Sequence, residues 1–68
     1  MRAERITVEM GGFRKRCTML GRPTWSEEGG LVARARYAGQ EFEIVDVRGV
    51  WLTRSAWEYV KSVLDRSN

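Results

Sequence analysis

The chain has 68 residues, 12 of them basic and 9 acidic, for a formal charge of +3, and it contains no histidine. A length of this order implies one small domain over residues 1–68, burying only about 60 % of the surface that its unfolded chain exposes. The only cysteine, Cys17, rules out an intramolecular disulfide; with no histidine or second thiol a structural zinc is not expected either, which leaves self-association as the support for so small a fold. An apolar content of 43 % with three tryptophans suits a folded domain rather than a disordered one. The apolar runs are too short for a membrane span or a signal peptide, and a lone thiol fits a cytoplasmic setting.

The first strand is expected over residues 4–10, where Ile6, Val8 and Met10 alternate with Arg5, Thr7 and Glu9. Gly11-Gly12 follows as a two-residue hairpin signal, because both central positions of a type I′ turn need positive φ. The return strand, 13–20, places Phe13, Cys17 and Met19 on the apolar side and Arg14, Arg16 and Thr18 on the polar side, with Lys15 snorkelling to the edge. Residues 21–30 carry Gly21, Pro23, Ser26 and Gly29-Gly30 and read as a long loop, with Trp25 either exposed or folded back on the core. A third strand is predicted over 31–37 and a fourth over 41–47, joined by a turn at Ala38-Gly39. The apolar phase of the fourth strand shifts at Val45 and Val47, which implies a bulge or burial on both faces. Val50-Trp51-Leu52 then leads into a helix over about 54–66, with Thr53 or Ser55 as its N-cap. The predicted fold is therefore α+β: a four-stranded antiparallel sheet of two hairpins followed by one C-terminal amphipathic helix.

Ten of the twelve basic residues are arginine, the residue type suited to forked contacts with phosphate or carboxylate. Arg5, Arg14, Arg16, Arg34 and Arg36 share the polar face of the predicted sheet, on strands roughly 5 Å apart. If the helix covers the apolar face, these side chains form a positive surface suited to a nucleic-acid backbone. The competing reading pairs them within the sheet: the turns set Glu9 opposite Arg14, Glu41 opposite Arg36 and Glu43 opposite Arg34. Arg5 and Arg16 have no partner in that scheme. Among the aromatics, Tyr37 reads as core and Trp51 as packed on the helix, which leaves Trp25 as the candidate for stacking on bases. On the helix, Ala56, Trp57, Val60, Val63 and Leu64 form an apolar stripe that serves as core, as a dimer seam, or as both.

The stretch Arg48-Gly49-Val50-Trp51-Leu52-Thr53-Arg54-Ser55-Ala56-Trp57, followed by Val60, Lys61 and Leu64, resembles the C-terminal part of the PC4 (positive cofactor 4) family of single-stranded-DNA-binding coactivators and their small bacterial relatives. The resemblance covers about twenty residues. It implies a curved sheet with basic channels for single strands and a dimer made through the helices. It also implies Arg48 as a backbone contact and Trp57 as a helix packing residue. Asp46 and Val47 stand before Arg48 where that family carries a basic cluster, and Glu27 and Glu28 make acidic a loop expected to be basic.

No enzymatic constellation is present, since the usual neutral-pH base is missing and Cys17 falls on an apolar strand face with no partner base. No cofactor is expected. The expected function is a small nucleic-acid-binding protein, of phage or bacterial type, that uses the basic sheet face on single-stranded DNA or RNA as a homodimer. The alternatives are a protein-interaction module, such as a small phage-type inhibitor or adaptor, and a nucleotide-binding sponge.

Overall fold

Three of the strand connections turn within a few residues, and the strands close on themselves. The computed structural model describes residues 4–27 and 30–66. It contains β1 (Arg5–Glu9), β2 (Arg14–Trp25), β3 (Leu31–Tyr37), β4 (Gln40–Val47), β5 (Val50–Thr53) and α1 (Arg54–Arg66). The strands follow one another in sequence order around a closed barrel. Neighbours are antiparallel except at the closure, where β1 and β5 run parallel with Val8 beside Trp51 and Glu9 beside Leu52. That exception is a matter of parity: in an up-and-down order of five, the first and last strands point the same way.

The open four-stranded sheet expected from the sequence is therefore incorrect. Two short-range signals misled it. Val50–Thr53 is only four residues long, too short to show an alternation, and it forms the fifth strand rather than a lead into the helix. Gly21, Arg22 and Pro23 do not open a loop but lie inside β2 as an irregularity. Leu20 pairs with Arg34 and Thr24 with Val32, so β2 spends two extra residues there, and Gly21 takes φ +74° to allow the bend. The loop proper begins at Ser26, whose N–H donates to the Gly30 carbonyl at 2.7 Å. Glu28 and Gly29, part of the predicted loop, lie outside the described residues.

Val8, Cys17, Ala33, Ala35 and Ile44 fill the barrel, each at most 8 % exposed, with Ile6, Met10, Met19, Phe42 and Trp51 packed around them. Trp51 thus belongs to the barrel core rather than to the helix contact predicted for it. Two alanines on β3 let the opposite walls approach closely enough to close a barrel this narrow. Tyr37, expected in the core, sits at the barrel mouth with Lys15 Nζ 6.0 Å from its ring centroid. Three hairpins carry positive φ at both central positions, Gly11-Gly12 (+80°, +111°), Ala38-Gly39 (+53°, +78°) and Arg48-Gly49 (+53°, +85°), the sign pattern a type I′ turn requires.

Helix α1 begins directly after β5. Thr53 is its N-cap, its hydroxyl accepting from the Ala56 N–H at 3.2 Å. The helix lies on the outside of the barrel over β4 and β5, where Val45 (6 % exposed) and Ala56 (8 %) are buried between the two layers. The phase shift at Val45 has its cause here: β4 is buried by the barrel on one face and by the helix on the other. Arg54 pins the junction, its Nε donating to Glu43 Oε1 at 2.8 Å.

Candidate nucleic-acid interface

Alternation around a barrel puts one residue set inside and the other outside. The arginines are on the outside of β1, β2 and β3, and so is the helix, over β4 and β5. The sequence-based picture of a helix on one sheet face and arginines on the reverse is thus replaced by a single outer surface divided into two sectors.

Thr18 lies at the centre of the basic sector. It pairs with Arg5 on one side and Arg36 on the other, and Arg16 follows two residues away along β2. Arg34, opposite Leu20, occupies a diagonal position, roughly 7–8 Å from Thr18 by sheet geometry. Four arginine positions therefore surround one threonine on the strand lattice. The cross-strand pairs are as the turns predict: Glu9 opposite Arg14, Glu43 opposite Arg34, and Glu41 opposite Arg36. The side chains depart from that pattern. Arg14 Nε does meet Glu9 Oε1 at 3.1 Å. Arg34 and Arg36, however, both lean on Glu41, at 3.8 and 3.7 Å, because Glu43 is taken by Arg54 of the helix. Arg54 also reaches Glu58, which Lys61 approaches at 3.4 Å, so these four charges neutralise one another at the helix.

The outer face of β1–β3 is thereby left with five arginines against Glu9 and Glu41. Arg5 and Arg16, both exposed, make no ion pair among the described residues. Arg34 and Arg36 are each more than half exposed, so their shared contact with Glu41 is a weak, solvent-screened one. Crowding like charges on neighbouring strands works against the fold, and a bound polyanion relieves it.

The remaining predicted site residues are dispersed. Arg48 stands at the tip of the β4–β5 turn, where the Asp46 carboxylate accepts from the Gly49 N–H at 2.8 Å and braces the bend. Trp25 is 74 % exposed at the end of β2. It pairs with Leu31, and pairing parity sets it on the inward-facing side of the strands carried past the barrel's end, away from the arginines. Trp57 and Val60 are half-buried under the helix, while Val63 (40 % exposed) and Leu64 (56 %) continue the stripe beyond the barrel with Tyr59 (70 %) beside them. Thr18 as the hub and Arg54 as the residue that diverts Glu43 were both missed. The first needed the β1–β2 and β2–β3 registers together, and the second links residues eleven apart across a strand–helix junction.

Cys17 is 1 % exposed, and burial pushes its thiol up, opposed in part by the charge of Arg5. A thiol held protonated in this way is packing material rather than a nucleophile. Among the described residues no cluster of His, Cys, Asp and Glu side chains is suited to holding a metal ion, and no helix is long and apolar enough to cross a membrane. Compared with known families, curated proteins and solved structures, the chain matches none.

Proposed function

We propose that this chain binds nucleic acid, single strands in particular, through phosphate contacts made by Arg5, Arg16, Arg34 and Arg36 on the outer face of β1–β3. The observation that carries the reading is the charge imbalance of that face: the helix withdraws Glu43, one carboxylate is shared between Arg34 and Arg36, and Arg5 and Arg16 make no ion pair among the described residues. Arginine forks are well matched to phosphate oxygens, and a convex barrel wall presents them without obstruction. The resemblance of residues 48–57 to the PC4 family points the same way, and the reading includes a cytoplasmic location.

The reading includes self-association. Tyr59, Val63 and Leu64 on the helix are exposed apolar side chains that suit a seam between two copies. A protein-binding role is the second reading, favoured by Trp25, whose exposed ring stands apart from the basic sector.

Anisotropy of a labelled single strand titrated across a salt series tests the proposal. Backbone binding through four arginines gives a log–log slope of roughly −3, since each phosphate neutralised on a single strand contributes about −0.7. Charge reversal at Arg16 together with Arg34 should abolish binding and leave the fold intact. Full binding by that double variant, or binding indifferent to salt, would turn attention to Trp25 and a protein partner.

A further inference from the structure

Beside the basic sector, where the β4–β5 turn, the loop after β2 and the start of the helix meet, lies a cavity of about 260 Å³. Its walls include Val32, Val45, Val47 and Trp57, with Ser26, Asp46, Arg48 and Arg54 as polar neighbours. The volume falls below the roughly 300–1,000 Å³ of sites for drug-sized molecules, so it suits one ring system rather than a larger ligand. Apolar walls, one aromatic ring and a few polar groups make a chemistry suited to a flat heteroaromatic. Arg48 makes no ion pair among the described residues and is held at φ +53°, an uncommon conformation for a non-glycine residue. Such outliers persist where the surroundings enforce them, and here the Asp46–Gly49 hydrogen bond does so.

The position of the cavity ties it to the arginines. Arg36, Arg34 and Val32 alternate along β3 on the same outer face, so the strand that carries two of the clustered arginines runs directly to the cavity wall. Two residues of strand separate Arg34 from Val32, roughly 7 Å. We infer that this cavity is a base-binding subsite: one unpaired nucleobase of a strand lying on the arginines inserts against Trp57, and the adjoining phosphate meets Arg48. The inference rests on the nucleic-acid reading above and adds to it a reason for preferring single strands. A base held in a duplex cannot leave its stack without being flipped, whereas a single strand offers its bases freely.

The test compares three probes at one low salt concentration: an eight-nucleotide thymidine strand, the same backbone with every base removed, and thymidine monophosphate. The intact strand is expected to bind about tenfold or more tightly than the abasic one, the usual scale for one base against an aromatic ring. Equal affinity for the two backbones would overturn the subsite and leave the arginine face standing. Failure of both to bind would remove the arginine face and the subsite with it. Monophosphate binding as tight as the strand would overturn the inference in favour of a free-nucleotide site. Arg48→Asn is the accompanying variant, since asparagine accepts positive φ readily and the turn should keep or gain heat stability. It is expected to lower the intact-to-abasic ratio by about threefold or more, and an unchanged ratio counts against the assignment of Arg48.

Discussion

The outer surface of this barrel has two sectors built on the same strand geometry with opposite results. On β1–β3 the outward positions include Arg5, Thr7, Glu9, Arg14, Arg16, Thr18, Arg34 and Arg36, and among the described residues no helix lies across them. On β4–β5 they include Val45 and Leu52, and the helix lies across them. The division follows composition at alternate positions, and Glu43 marks the border. Its carboxylate faces Arg34 across the sheet, yet it is held at 2.8 Å by Arg54 from the helix. Docking the helix thus does more than bury apolar surface. It draws a counter-charge away from the open sector and leaves that sector more positive than its sequence suggests.

The largest effect should come from erasing the division. Val45→Asp places a carboxylate under the helix at a site 6 % exposed. A charge forced into that apolar layer should cost about 3 kcal/mol or more, read as a lower midpoint in urea unfolding. The reciprocal change, Arg34→Val at an equivalent outward position, should shift stability by less than about 0.5 kcal/mol, because the side chain is more than half exposed and its ion pair is solvent-screened. Comparable losses for the two variants would mean that the sectors are not distinct.

Glu41→Gln sharpens the comparison from the other side. It removes the one carboxylate that Arg34 and Arg36 share, while both pairs are too exposed for the change to cost more than about 1 kcal/mol. Binding to single strands should tighten several-fold at low salt, and the gain should fade as salt is raised. Weaker binding would show that Glu41 orients the arginines rather than opposing the ligand. The smallest effect is expected at Ala38, which occupies positive φ at +53° in the turn joining the two sectors. Ala38→Asn should raise stability by about 0.5–1 kcal/mol, measured as a higher thermal midpoint, without altering nucleic-acid affinity.

Much of the architecture is legible in local pattern. The alternation of Ile6, Val8 and Met10 marks β1, Gly11-Gly12 and Ala38-Gly39 mark their turns, and the 3.6-residue spacing of Ala56, Trp57, Val60 and Leu64 marks the helix. Barrel closure is not local and left no such trace. It depends on Val8 meeting Trp51, and on a β2 that runs through Gly21 and Pro23, residues whose ordinary meaning is interruption. One clue was in view: Val45 and Val47 break the phase of β4 because that strand has two dry faces, and the second face implies a helix outside the sheet. The arginines were legible as a set, but not their arrangement around Thr18. Trp25 was grouped with them by composition, and strand parity separates it.

The parallel closure has a kinetic consequence. Val8 and Trp51 are distant along the chain, so joining them requires closing a loop that contains most of the protein. Hairpins form early and cheaply, and the β1–β5 seam should be the last register to set and the first to part. Because β5 passes into the helix with no intervening residue, tension on the C-terminal end is transmitted straight to that seam. Pulled from there, the molecule would open like a hoop at its clasp, helix and fifth strand leaving together, before any of its hairpins gave way.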